Sequence, residues 1–201
     1  MALYEESGTA RDTRMRIVRA IVDLGRREGI AGLSTRAICE QVGISRQAFY
    51  YHFRDKYAAI QWYNRIIYKE LAEHVGNDML WSEAGPLMAV RTASELDFYA
   101  VALKTDEDYN SLRFEAARSL YESWRDTVRS YEDFAYTDHF DMLLRYFPRL
   151  GVTVVADWVR DGCCRPIEDV NRAFAAFLPE EVREVMDAHV TDRRSKLIGG
   201  A

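Results

Sequence analysis

The stretch that decides the fold reads Leu33-Ser34-Thr35-Arg36-Ala37-Ile38-Cys39-Glu40-Gln41-Val42-Gly43-Ile44-Ser45, followed closely by Phe49-Tyr50-Tyr51-His52-Phe53-Arg54-Asp55-Lys56. Ser34 and Thr35 offer a side-chain oxygen to the free amides of a helix that runs to about Val42. Gly43 can take the left-handed backbone that ends that helix, and Ser45 can cap a third short helix running to about His52. Upstream, Ile17, Val18, Ile21, Val22, Leu24 and Gly25 form one stripe at helical spacing, so residues 12–28 predict a supporting first helix that ends near Gly29. Three helices joined by turns of this length make a helix-turn-helix unit. Its inward positions are Ile38, Val42, Ile44, Phe49 and Phe53, with the small Cys39 where the two short helices approach closely. Tyr51 and Phe53 are expected to pack at the joint with a long following helix.

Composition agrees with a helical protein. Of 201 residues, 48% are hydrophobic and 29% charged, as in ordinary soluble domains. Eleven glycines and four prolines are well short of average usage and argue against a many-turned β fold. The net charge of −5 hides a division: residues 1–60 hold ten Lys/Arg and seven Asp/Glu, and residues 61–201 hold 17 and 25. A basic first part on an acidic body suits a protein whose one end meets phosphates. No apolar run is long enough to span a membrane, and the first residues lack the layout of a signal peptide, so a cytoplasmic protein without a membrane partner is expected. Cys39, Cys163 and Cys164 have no metal-finger spacing, and no metal or cofactor is expected. Neither a Gly-rich phosphate loop, His-Glu-x-x-His nor Gly-x-Ser-x-Gly occurs, which speaks against an enzyme.

The quoted residues, in register from about 12 to 60, resemble the DNA-binding domain of TetR-family transcriptional regulators. Where the family usually has alanine this chain has Cys39, and an acid usual at the position of Ala37 is absent. The resemblance implies an all-α protein, with a flexible arm over residues 1–11, a helix-turn-helix domain over 12–58, and a helical body over 59–201 that binds an effector and dimerises. In such a unit the third helix enters the major groove, so Arg46 and Gln47, flanked by Ser45 and Ala48, are the base-reading candidates. Ser34, Thr35 and Arg36 open the second helix, whose free amides suit a phosphate. Tyr50 and Lys56 resemble the family's phosphate-contacting tyrosine and lysine, and His52 suits either a phosphate or a neighbouring carbonyl.

Downstream, helical spacing of Ile60, Tyr63, Ile67 and Leu71 predicts one long helix from Lys56 to Val75. Residues 76–86 read as a connection, 87–103 as a helix, 104–110 as a polar loop, and 111–131 as another helix. Residues 138–147, 149–161, 167–177 and 180–190 complete the pattern, with Pro148 expected to kink or break its segment. Tyr63, Phe98, Tyr99, Phe114, Tyr121 and Trp124 are the aromatic candidates for an effector pocket, with Glu115 or His139 as polar anchors. The run from Leu150 to Gly162 resembles the family's penultimate helix, which would place Gly151, Val152, Val155 and Val159 against a partner helix in a homodimer. The implied partners are double-stranded operator DNA, a second copy of the chain, and a small-molecule effector. An alternative is a protein co-regulator, because Tyr50 to Tyr57 and Leu96-Asp97-Phe98-Tyr99 have some likeness to the dihydroxyacetone-kinase-operon activators. The function these signs imply is a small-molecule-responsive repressor that binds a palindromic operator as a dimer.

Overall fold

A computed structural model describes residues 8–103 and 112–199. Described residues form helices α1 (Gly8–Gly32), α2 (Thr35–Val42), α3 (Arg46–His52), α4 (Lys56–His74), α5 (Trp81–Ser94), α6 (Leu96–Ala102), α7 (Leu112–Arg129), α8 (Asp138–Arg160), α9 (Ile167–Ala176) and α10 (Glu180–Gly199). Among them the nearest approach to a strand is a single bridge between Val75 and Met79. The all-α architecture expected from the sequence is the one observed. Helix α1 starts at Gly8, inside the stretch expected as an arm, and residues 1–7 lie outside the described residues. The loop expected over 104–110 lies outside them too.

The first three helices are specified locally. Ser34 caps α2 by accepting from the Ala37 amide at 3.1 Å, and Ser45 caps α3 by accepting from the Ala48 amide at 3.1 Å, each such cap stabilising its helix by about 1 kcal/mol. Gly43 takes φ 75°, and its amide donates to the Cys39 carbonyl, closing α2 in the left-handed manner that suits glycine. Ile38 and Phe49 are fully buried, Cys39, Val42 and Phe53 nearly so, and Ile44 packs against them. Arg16 of α1 donates to the Val42 carbonyl and ties the supporting helix to the end of α2. Tyr51 departs from expectation: it is 83% exposed, edge-on to His52, because it sits on the side of α3 away from Phe49 and Phe53.

One apolar cluster carries the head onto the body, running from Ile17, Ile21, Phe49 and Phe53 through Ile60 and Ile67 of α4 to Phe98, Val101 and Trp158. A second holds Trp81, Trp124, Phe140, Phe147, Val182 and Met186 together at the other end. Four helical boundaries differ from the sequence reading. Helix α5 starts at Trp81 inside the expected connection, since Glu83 accepts from the Leu80 amide at 2.8 Å and the Trp81 amide donates to Asp187 at 2.8 Å. The helix expected over 87–103 divides at Glu95 into α5 and α6. Helix α8 runs unbroken through the buried Pro148, with packing against α7 and α9 overriding the lost backbone bond. Helix α10 continues past Val190, where Arg194 donates to Glu83 and the Asp78 carbonyl, and Lys196 pairs with Asp192 at 2.6 Å.

Candidate nucleic-acid interface and effector cavity

The amino-terminal ends of α2 and α3 open on one surface. At the start of α3, Arg46 and Gln47 are exposed and Ala48 is half-buried, so the two long side chains project from a helix whose own position is fixed by Phe49. Tyr50 is 49% exposed, and its hydroxyl stands beside Arg46 and Thr35, which hold its pKa below the usual phenol range. Thr35 and Tyr50 therefore join α2 to α3 on the outer face. Arg36 is exposed and paired with Glu40 at 2.7 Å, four residues along the same helix. Ser34 and Ser45 have their hydroxyls committed to capping; what they offer a phosphate is the ordered helix start behind them.

Two sequence assignments change character here. The Lys56 ammonium donates to the Ala31 carbonyl at 2.7 Å and to the Leu33 carbonyl at 2.8 Å. It thus ties the start of α4 to the turn that leads into α2, with one N–H left over, and burial lowers its pKa. His52 parts company with Arg46, Gln47 and Tyr50: it is half-buried and lines one end of a half-open cavity.

That cavity has a volume of 1460 Å³ and runs between α4, α5, α7, α8 and α9. Its middle wall is made of Asn64, Tyr68, Thr92 and Tyr99. The Tyr99 hydroxyl donates to Asn64 at 2.9 Å, Tyr68 and Thr92 share a short hydroxyl contact, and Thr92 donates to the Met88 carbonyl at 3.0 Å. Burial pushes the hydroxyls of Tyr68 and Tyr99 up, Tyr99 strongly, so both stay protonated donors at neutral pH. Ala72, Met88, Leu120, Pro148, Val152 and Phe174 make the apolar end. At the other end stand Arg11 and Arg14 of α1, Tyr51 and His52 of α3, and Trp62 and Arg65 of α4. The Arg14 guanidinium lies over the rings of Phe53 and Trp62, 5.4 and 5.7 Å from their centres.

Of the six aromatic pocket candidates only Tyr99 lines this cavity. Tyr63 donates to Glu95 at 3.0 Å and packs edge-on against Phe98, which is buried. Trp124 is a fully buried core residue beside Trp81. Tyr121 donates to Asp141 at 2.7 Å and Phe114 lies under Arg149. The suggested anchors are elsewhere as well, Glu115 pairing with Arg118 at 2.5 Å and His139 with Glu181 at 3.4 Å. Asn64, Thr92 and Ala72 were not among the expected pocket residues.

The residues expected against a partner helix face into this subunit. A Cβ on Gly151 would lie 1.9 Å from the Phe174 ring, so Gly151 is packed inside one subunit against α9. Val152 and Val155 line the cavity and Val159 is buried in the core. The face of α8 that looks outward instead carries Met142, Tyr146 and Leu150, four residues apart and each about half exposed. Among the described residues no group of three or more His, Cys, Asp and Glu is placed to hold a metal, and no helix is long and apolar enough to cross a membrane.

The whole is a capped helix-turn-helix on an all-helical body with a half-open cavity. Residues 17–59 match the family model described as bacterial regulatory proteins, tetR family. The segment is similar to the tetracycline repressor protein class A from transposon 1721 of Escherichia coli, 41% identical over 44 residues, which is 22% of this chain and 20% of the repressor's own length. Among solved structures, the fold is similar to a TetR transcriptional regulator from Streptococcus agalactiae, with TM-score 0.57 and 16% identity over 86% of this chain and 96% of that one. It is similar to Thermus thermophilus FadR, a TetR-family repressor in complex with lauroyl-CoA, with TM-score 0.55 and 18% identity over 82% and 92%. It is also similar to the dihydroxyacetone kinase operon activator DhaS, with TM-score 0.51 and 17% identity over 85% and 96%. The chain carries a tetR-family DNA-binding domain in its first sixty residues and has the all-helical fold of tetR-family regulators.

Proposed function

We propose that the protein is a sequence-specific transcriptional repressor that binds a two-fold symmetric operator as a homodimer and leaves it when a small molecule fills the cavity. The observation that carries this reading is the exposed start of α3, where Arg46 and Gln47 stand clear of the body on a helix fixed by caps and core. Arginine donates two parallel bonds to guanine and glutamine pairs with adenine, which is the chemistry of base reading in the major groove. Thr35, Arg36, Tyr50 and the spare N–H of Lys56 supply the phosphate contacts that set position.

One such unit reads only a few base pairs, so a symmetric pair is the form that binds an operator. The outward row of Met142, Tyr146 and Leu150 on α8 is the apolar face offered to the second copy. Because α4 begins at Lys56 beside the head and lines the cavity from Trp62 to Ala72, an occupant that prefers one tilt of α4 changes the spacing of the two heads. The polar and apolar side chains converging on the cavity between α4, α5, α7, α8 and α9 favour a small ligand over a docked co-regulator.

The test is to incubate purified protein with random genomic fragments, recover the bound ones and sequence them. A short palindromic motif, lost in the Arg46→Ala variant, supports the reading. Equal recovery by the two proteins overturns it.

A further inference from the structure

We infer that the cavity takes an uncharged, largely apolar molecule bearing a carbonyl, and that the side-chain amide of Asn64 holds the carbonyl oxygen. The inference rests on the reading of the cavity as an effector site and adds the chemistry of what enters it.

The protons of the middle wall can be assigned one by one. Thr92 gives its single hydroxyl proton to the Met88 carbonyl at 3.0 Å, so the proton in the Tyr68–Thr92 contact is that of Tyr68. Tyr99 gives its own to Asn64 Oδ1 at 2.9 Å. The three hydroxyl donors are thus used up within the wall. The Asn64 amide nitrogen carries two more protons, and among the described residues nothing accepts from it. Asn64 is only 5% exposed and lines the cavity, so little solvent reaches it. The other neutral polar residues nearby differ: Ser123 donates to the Ala72 carbonyl at 3.2 Å, and Ser119 and Asn171 are half exposed, with water to bond. A buried amide donor without an acceptor is costly, and an acceptor arriving from the cavity relieves that cost.

The setting decides which acceptor. Asn64, Tyr68, Thr92 and Tyr99 are all uncharged, and much of the remaining wall is apolar, with Ala89, Leu103, Leu112, Val155, Ala156 and Val170. A carboxylate seated at the middle wall would be desolvated there with no opposite charge among these four residues, which costs more than a neutral hydrogen bond returns. A hydrocarbon leaves the amide as it found it. A carbonyl accepts from the amide, brings no proton that the wall must place, and lets the rest of the molecule spread over the apolar residues.

The experiment titrates the purified full chain with benzophenone, diphenylmethane and diphenylacetate, which differ in the group that joins their two rings. The comparison protein is the double variant Asn64→Leu/Tyr99→Phe, which leaves neither partner of their mutual bond stranded. There the ratio of benzophenone to diphenylmethane affinity should fall about three- to tenfold, the net weight of one neutral hydrogen bond. Diphenylmethane itself should bind both proteins within about twofold, and diphenylacetate should bind weakest. On the natural protein, benzophenone isotopically labelled at the carbonyl carbon should resonate downfield of its position in cyclohexane, a reading that does not depend on the variant's folding. A ratio unchanged in the double variant, a carbonyl resonance at its cyclohexane position, or diphenylacetate bound tighter than benzophenone overturns the inference. A protein that selects its operator but binds none of the three overturns it while the DNA reading stands. One that shows the expected ketone pattern and selects no DNA supports it and sinks the DNA reading.

Discussion

The ring of Phe174 fills the space beside Gly151, so that any Cβ there would meet it at 1.9 Å. This contact joins α8 to α9 at the apolar end of the cavity, and it is made of ring atoms that cannot fold away. Gly151→Ala must push the ring or the helix aside, at a cost of about 1–3 kcal/mol. For a chain of this size that corresponds to a fall in melting temperature of roughly 2–4 °C per kcal/mol. Phe174→Leu in the same background should recover part of the loss; a thermal melt with no change in Gly151→Ala would contradict the packing.

Lys56 joins the two parts of the molecule through the carbonyls of Ala31 and Leu33. Lys56→Gln should lower stability by about 1–3 kcal/mol in denaturant melts, because two carbonyls lose charged donors. In the same variant the dependence of DNA affinity on salt should flatten by about one unit per head. A changed melt with an unchanged salt slope would assign the ammonium to structure alone.

Arg46 is the base-reading candidate most open to test. Arg46→Ala should relax preference at one base pair in each half-site, losing about 1–3 kcal/mol of discrimination there. Its melt should stay unchanged, since the side chain is exposed. Selection on a randomised operator reads this directly, and an unaltered motif would remove Arg46 from base contact.

The bond from Tyr99 to Asn64 is buried and 2.9 Å long. Tyr99→Phe leaves the amide oxygen without that donor and should cost about 1–3 kcal/mol. Adding Asn64→Leu should cost less than the two single losses together, because the second change removes the stranded acceptor. Strict additivity in denaturant melts would show that the two side chains do not act as a pair.

The helix-turn-helix was legible because its signals are local. Ser34, Gly43 and Ser45 mark their own helix ends, and the spacing of Ile38, Val42, Phe49 and Phe53 assigns the core without knowledge of the body. The cavity was not legible by the same means. Choosing among the aromatic residues of the body selected Phe98 and Trp124, and large rings in this chain fill the core. Space is left by what is small or already partnered, as at Ala72, Ala89, Ala116 and Gly151, and that depends on which helices meet. Helix α8 is apolar on two sides, and nothing in its own residues told Gly151 and Val155 from Met142 and Tyr146 as the inner row. Pro86 and Pro148 read as interruptions, yet tertiary packing carried α5 and α8 through both.

Arg14 stands in two neighbourhoods at once, against Phe53 at the end of the reading helix and along the wall of the cavity. On the proposed function, a substitution that adapts this end to a new chemical signal also disturbs the seat of α3, and signal range and operator range meet at this point of the chain. Variants that acquire new signals without exchanging their genes will carry their changes at the far end, around Leu120, Val152 and Phe174, where the wall belongs to the body alone.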